Sequence, residues 1–560
     1  MKEVKEMISA QKSEKRTAAQ LLTECLEQEG VEYVFGIPGE ENLELIHSLY
    51  HSGKIRFIVV RHEQGAAFMA DVYGRLTGKA GVCLATLGPG ATNLITGVAD
   101  ADSDGAPLVA ITGQVSTDVM HLTSHQYLNL SKIFEPVTKR TKLVMLPDTI
   151  NEITRLAFKY AEGGRMGATH IDLPVNVAKM YVDDVEQPLK KETLPLEEPD
   201  EMNIVTAARL ISKAAYPLIL AGNHAVHYAS SEAITAFAEH THIPVVNTMM
   251  AKGIIPCDNP WCMMTIGIPQ YDYVNTLFDQ ADLVLAIGYD LKELMPRKWN
   301  RNRKCHIIHI SNRPADINKF YQCDVQVVGS IDSALFRILR YVQHPFDSSW
   351  ALSIRKAFQK SVISAENDNS FPLKPQRIIH DVRSVMGKDD ILISDVGAHK
   401  MWIGRLYECY KPGTCIISNG FASMGIGVPG AIAAKLVYPN RQVITICGDG
   451  GFMMNCQEME TAVRLGINIV VLIINDSAYG LIKWKEHDQY QEDMYTDFGN
   501  PDFVMMAESM HCKGYRISKA EDLPVILEKS FREKMPVIID VPVDYSENSK
   551  LSEELQLLSV

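Results

Sequence analysis

The sequence predicts an α/β protein built from three doubly wound parallel-sheet blocks. Two observations lead there. Short, continuous apolar runs rich in β-branched residues alternate with helix-period segments almost throughout, and two low-order stretches cut the 560-residue chain into three parts of domain size. The runs include "FIVV" (57–60), "VCLAT" (82–86), "PLVAIT" (107–112), "HIDLP" (170–174), "PLILAG" (217–222) and "PVVNT" (244–248). Further along come "LVLAIG" (283–288), "HIIHI" (306–310), "ILISD" (391–395), "VITICGD" (443–449) and "IVVLIIN" (469–475). Such runs are too uniformly apolar for a sheet with one wet face, so helices must cover both faces, as in parallel sheets. Many of them end in Gly, Asn, Asp or Thr and lead into a helical pattern. The stretch 183–201 is rich in Pro and charge and has no periodicity, and 343–375 holds one helix between Pro and Ser segments. The blocks they separate are 15–182, 202–342 and 376–545.

The formal net charge is −13 and no run of Lys or Arg exceeds two, which argues against nucleic acid or an anionic membrane as a partner. A small anionic substrate stays compatible, because a local field can oppose the net charge. The eleven cysteines form no CxxC pair and several sit inside apolar runs, the pattern of small buried thiols in a reducing cytosol. The opening "MKEVKEMISAQKSEKR" is charged and lacks the apolar core of a secretory signal. The longest apolar runs, such as "IVVLII", are six residues, against the roughly 20 that a membrane-spanning helix needs. A cytoplasmic location is expected.

The chemistry concentrates at strand ends. "QVITIC" runs into Gly448-Asp449-Gly450-Gly451 and then a helix. A carboxylate buried there without a partner would be expensive. Ligands of parallel sheets bind beyond the carboxyl ends of the strands, where glycine lets the backbone come close and a helix start offers N–H groups to phosphate. Asp449 beside a phosphate requires a cation between them, and Mg²⁺ bridges carboxylates to diphosphate oxygens in this way. A second oxygen ligand is expected at the end of a neighbouring strand. "NIVVLIIND" supplies it, ending in Asn475 and Asp476, 27 positions after Asp449 and just before the turn "SAYG".

Three further positions stand out. Glu63 lies where the strand "IRFIVV" gives way, through Arg61 and His62, to an Ala-rich helix. It is placed either to carry a proton or simply to face the helix dipole. Met424 lies in the Gly-rich "NGFASMGIGVPGA", as a ligand contact or a core residue. "TLGPGATN" is a near miss to a dinucleotide fingerprint: Asn93 stands at the third glycine, and "LVAIT" beyond it has no acid. "LAGNHAVHY" in the middle block lacks that fingerprint as well.

The GDG…ND pair resembles the fingerprint of thiamine-diphosphate enzymes. "VRHEQGAAFMADVYGRLTGKAGV" is similar to the pyrimidine-domain motif of the acetohydroxyacid synthase family. "EYVFGIPGEENLELIHSLY", "TLGPGATNLITGVADADSDGAPLVAITGQV" and "GRMGATHIDLPVNV" extend the likeness over nearly the whole chain. "SHQYLNLSKIFEPVTK", "ADLVLAIGYDLKELMPRKWN" and "PVIIDVPVDYSENSKL" look most like the catabolic, FAD-independent acetolactate synthases. The resemblance implies the three-domain, pyruvate-decarboxylase-like architecture. Residues 15–182 would bind the pyrimidine, 202–342 would be a central Rossmann-like domain, and 376–545 would bind diphosphate and Mg²⁺.

By the same resemblance, Asp449, Asp476 and the backbone carbonyl near Ala478 hold Mg²⁺. Gly450 and Gly451 approach the diphosphate of thiamine diphosphate, with Tyr479 beside them, and Gly397, Ala398 and His399 lie against it. Met424 wedges the two rings into a V. Glu63 hydrogen-bonds the aminopyrimidine, and Gln126 and His125 face cofactor and substrate. The implied reaction joins two pyruvates into 2-acetolactate and CO₂ through a thiazolium ylide and an enamine. It takes place between subunits of a homodimer or homotetramer, with FAD not expected. Two departures bear on specificity: Trp484 sits one position earlier than the tryptophan of anabolic relatives, with Lys485 in its place, and "NGFAS" lacks a glutamine seen in some catabolic ones. They leave open a plain 2-keto acid decarboxylase.

Overall fold

The computed structural model describes residues 15–548 and 551, apart from 184, 193–195, 269–272 and 343. The opening segment and part of the 183–201 stretch therefore lie outside the described residues. The chain divides into two compact units, Met1–Leu194 and Pro195–Val560.

The first unit carries one six-stranded parallel sheet: β1 (Tyr33–Gly36), β2 (Arg56–Val59), β3 (Gly81–Ala85), β4 (Leu108–Gln114), β5 (Arg140–Leu143) and β6 (Ala168–Pro174). Their order is β2-β1-β3-β4-β6-β5. β4 pairs with β3 on one side and β6 on the other, and every residue of β4 and β6 is buried. That is the burial expected of strands covered on both faces. The chain order reverses between β1 and β3, the kind of point where doubly wound sheets open a crevice.

The second unit carries two more parallel sheets. One contains β7 (Pro217–Ala221), β8 (Val245–Asn247), β9 (Cys262–Thr265), β10 (Leu283–Ile287), β11 (His306–Ser311) and β12 (Val325–Val328), in the order β12-β11-β10-β7-β8-β9. The other contains β13 (Ile391–Ser394), β14 (Cys415–Ile417), β15 (Val443–Gly448), β16 (Val470–Asn475), β17 (Lys513–Arg516) and β18 (Val537–Pro542), in the order β14-β13-β15-β16-β18-β17. One continuous apolar core runs under both sheets, from Ile219 and Leu285 to Ile444 and Ile539. Lys252, buried at the seam, donates to Gly404 O at 3.0 Å and to Thr265 Oγ1 at 3.1 Å. The helix expected within 343–375 is Ser349–Glu366.

Every apolar run singled out in the sequence is a strand. The strands not singled out are mostly edges: β5, β9, β12, β14 and β17 each border a sheet. β5 and β17 read "RTKL" and "KGYR" and are half-solvated, so they carry no continuous apolar signal. All eleven cysteines are free thiols, most of them buried. No helix among the described residues is long and apolar enough to cross a membrane.

Candidate active site

The reversal between β13 and β15 opens a cavity of about 250 Å³ at the carboxyl ends of the third sheet. Its walls include all ten positions expected in this block: Gly397, Ala398, His399, Met424, Asp449, Gly450, Gly451, Asp476, Ala478 and Tyr479. β15 delivers Asp449 and β16 delivers Asp476, and the two strands are hydrogen-bonded neighbours.

Asp449 is 1% exposed. Its Oδ2 accepts from Asn500 Nδ2 and Ser477 N, both at 2.7 Å, and its Oδ1 from Gly450 N at 2.8 Å. Ser477 reaches it by adopting a left-handed backbone, φ +54°. Strain of this kind, worth about 1–3 kcal/mol, survives only where the surroundings hold it. Burial raises the Asp449 carboxyl above its ordinary range, against the opposing pull of those donors. Asp476 is pushed up to about 7, first by burial and then by the Asp449 charge beside it. Two buried carboxylates, one held up by the charge of the other, are a donor set in want of a cation. No group of three or more His, Cys, Asp or Glu gathers for a metal among the described residues. Asp449 and Asp476 supply oxygen donors of the kind that hard divalent cations take.

Another residue lining the cavity is equally unfinished. His399 is buried, its Nε2 has no hydrogen-bond partner among the described residues, and burial lowers its pKa to about 4. It is thus a neutral imidazole with a polar atom left to a ligand. Glycine is required where the loops close on each other. A Cβ on Gly480 would stand 2.3 Å from Asp476 Oδ2, and one on Gly450 would stand 2.9 Å from the Tyr479 ring.

Sequence reasoning missed the residues that hold these loops together. Asp395, fully buried, accepts from Val396 N at 2.6 Å, from Gly425 N at 3.0 and 3.1 Å, and from Gly427 N at 3.1 Å. It thereby ties the β13 end to the Met424 loop. Asn455 Nδ2 donates to Gly425 O at 2.8 Å from the other side. Asp395 closes a buried strand just as Asp449 does, so the same signal could have found it. Asn500 and Tyr545, which also border the site, had none: Asn500 is 51 residues from Asp449. On helix Gly480–Tyr490, Lys485 is exposed and Trp484 is part-buried.

In the first unit, Glu63 opens helix Glu63–Thr77 directly after β2 and is 9% exposed. Asn93 Nδ2 donates to its Oε2 at 2.9 Å. A Cβ on Gly90 would lie 3.3 Å from its Oε1. Gln126 is exposed and packs on the same Gly88-Pro89-Gly90 turn, its Cβ 2.8 Å from where a Gly88 Cβ would be. His125 beside it is exposed too. Glu63 and Gln126 thus converge on one turn at the end of β3.

Three sheets with strand-end carboxylates and a glycine-lined cavity of this kind define a thiamine pyrophosphate enzyme. Family models of that group match residues 16–133 as the N-terminal TPP binding domain, 204–338 as the central domain and 395–541 as the C-terminal TPP binding domain. The acetolactate synthase of Bacillus subtilis is 35% identical over 549 residues, covering 96% of this chain and 95% of its own. A catabolic acetolactate synthase of Raoultella terrigena is 34% identical over 555 residues, covering 97% and 98%. The chain belongs to the acetolactate synthase family of thiamine pyrophosphate enzymes.

Proposed function

We propose that this chain is a Mg²⁺- and thiamine-diphosphate-dependent acetolactate synthase that joins two pyruvates into 2-acetolactate with loss of one CO₂. The observation that carries it is the pair Asp449 and Asp476 at the ends of adjacent strands, lining one glycine-rich cavity together with a buried, unpartnered His399 Nε2. Family membership over nearly the full chain supports the same assignment.

Bound thiamine diphosphate supplies a carbanion nucleophile and an electron sink for decarboxylation. Asp449, Asp476 and the Ala478 carbonyl hold the Mg²⁺. Gly450 and Gly451 bring backbone close to the diphosphate, along which Gly397, Ala398 and His399 lie. Met424 and Tyr479 shape the space for the rings. Glu63 holds and returns a proton at the aminopyrimidine. Gln126 and His125 face the keto acid. A pocket closed to water and to acids favours coupling over simple release of an aldehyde.

The same proposal takes 15–182, 202–342 and 376–545 as the domains. Glu63 and the metal ligands belong to different blocks. They meet across subunits of a homodimer or homotetramer, the first block of one copy against the third of another. The free thiols suit a cytoplasmic setting. FAD has no part in the chemistry. The middle sheet has the strand order of dinucleotide-binding folds, yet the turn after β7 carries a single glycine, Gly222, and Glu293 Oε1 accepts the following Asn223 N–H at 2.8 Å.

Incubation of the purified protein with pyruvate, thiamine diphosphate and Mg²⁺ tests the proposal. Acetolactate is the expected product. Free acetaldehyde as the main product, or strict dependence on added flavin, would overturn it.

A further inference from the structure

We infer that Gln114 is a positioning residue for the reaction: it straps the segment 115–129, which carries His125 and Gln126, to a buried polar network at the end of the first sheet. Its functional consequence rests on the proposed role of Gln126.

Gln114 is the last residue of β4 and is 2% exposed. Its side-chain amide is fully engaged. Oε1 accepts Val115 N–H at 2.9 Å, where the segment begins. Nε2 donates to Leu128 O at 3.1 Å, where the segment ends, and to Asp172 Oδ2 at 3.1 Å. An amide nitrogen has two hydrogens, and both are used here.

Asp172 anchors this strap from the adjacent strand β6. It also accepts from Thr112 Oγ1 at 2.8 Å. Thr112 Oγ1 lies 2.8 Å from His170 Nε2, and Thr141 Oγ1 lies 2.7 Å from His170 Nδ1. Donors and acceptors alternate consistently if His170 is neutral with its proton on Nε2, and its full burial enforces neutrality. Phe134 stacks on the His170 ring at 3.9 Å, fixing the short helix that comes after the segment. At the near end Asn176 Oδ1 accepts Thr117 N–H at 3.0 Å, and its Nδ2 donates to Thr117 Oγ1 at 2.8 Å.

Between these ties the segment contains no helix or strand, and His125 and Gln126 are exposed. Gln126 holds a left-handed backbone, φ +56°, over the Gly88 turn. A non-glycine residue keeps that conformation only when its surroundings impose it. A turn closed by Tyr127 N–H to Ser124 O at 3.3 Å holds it locally, and the ties at Leu128 and Thr117 hold the ends of the segment that carries this turn. Among the described residues, Gln114 hydrogen-bonds Val115 and Leu128, one at each end of the segment.

The test uses the full-length protein with thiamine diphosphate, Mg²⁺ and pyruvate. Gln114→Met keeps the volume and removes the amide. Gln114→Glu also sets a carboxylate against Asp172, and if that variant fails to fold the Met variant still decides. In Gln114→Met, kcat should fall about 10–100-fold, the scale of a small misplacement of a reacting group, and KM for pyruvate should rise. Mg²⁺-dependent cofactor affinity should hold. Hydrogen exchange over 116–128 should speed up while the strands stay protected. The double variant Gln114→Met/Gln126→Ala should be no worse than Gln126→Ala alone, because both act through one group. Unchanged kcat and exchange in Gln114→Met, or losses that multiply in the double variant, would overturn the inference. If Gln126→Ala keeps full activity, the role of Gln126 is what fails, and exchange over 116–128 then decides the strap by itself.

Discussion

The first and third sheets have the same strand order, β2-β1-β3-β4-β6-β5 and β14-β13-β15-β16-β18-β17, and the same reversal beside their first strand. The residues just beyond the strand ends differ. Past β15 and β16 stand two carboxylates, one raised by the charge of the other, a left-handed serine and closely packed glycines. Past β2 stands the carboxylate Glu63, held by Asn93, and past β4 a long, largely exposed segment strapped at both ends. One scaffold thus serves two tasks. On the proposed function, the third sheet binds the charged diphosphate, and the first presents Glu63 and a polar loop. The strand order supplies the crevice, and the residues placed after the strands supply the chemistry.

The contrast can be broken most directly at Asp449. Asp449→Ala should abolish activity together with Mg²⁺-dependent binding of thiamine diphosphate, read by calorimetry. Retained binding would remove the third sheet's assigned task. Glu63→Gln should lower turnover by about 10²–10⁴-fold yet leave that binding intact. Loss of both together would erase the division between the two ends. A smaller effect is expected from Gly480→Ala, whose new Cβ would meet Asp476 Oδ2 at 2.3 Å. The Mg²⁺ concentration for half-activation should rise about 10–100-fold, as for other changes that shift a ligand from behind. An unchanged metal requirement would show that Asp476 is free to move.

The smallest expected effect sharpens the other side. Burial pushes the Asp172 carboxyl up to about 7, whereas in an unfolded chain it titrates near ~4. Between those values the folded state keeps a proton that the unfolded state has released. This group's contribution to stability therefore falls as pH rises from about 4 to about 7, and is level above. Thermal melts of wild type and Asp172→Asn across that window should differ in slope, the wild type losing more as pH rises. Parallel profiles would show that Asp172 does not hold its proton in the folded state.

The residues legible in the sequence were those whose signal is local. Asp449, Asp476 and Glu63 each end or come just after a continuous apolar strand, so a charge at the strand's carboxyl end marked them. Met424 was legible through the glycines around it. The inner strands announced themselves by being apolar without interruption. Edge strands such as β5 and β17 did not, because half their surface faces water. Asn500 and Tyr545 gave no signal, since each joins the site from a distant part of the chain. Gln114 looked like the end of a buried strand and nothing more.

The sequence by itself determined the class of fold, the parallel pairing within blocks and the presence of two strand-end carboxylates. Each arises from patterns a few residues long, in which hydrophobic burial dictates which atoms point inward. Only the tertiary structure decided which loops share a cavity, which donors satisfy Asp449 and Asp395, and how both ends of the 115–129 segment come to one amide. Those choices depend on chain reversals that bring residues tens of positions apart within hydrogen-bonding distance, and no local pattern encodes such a distance.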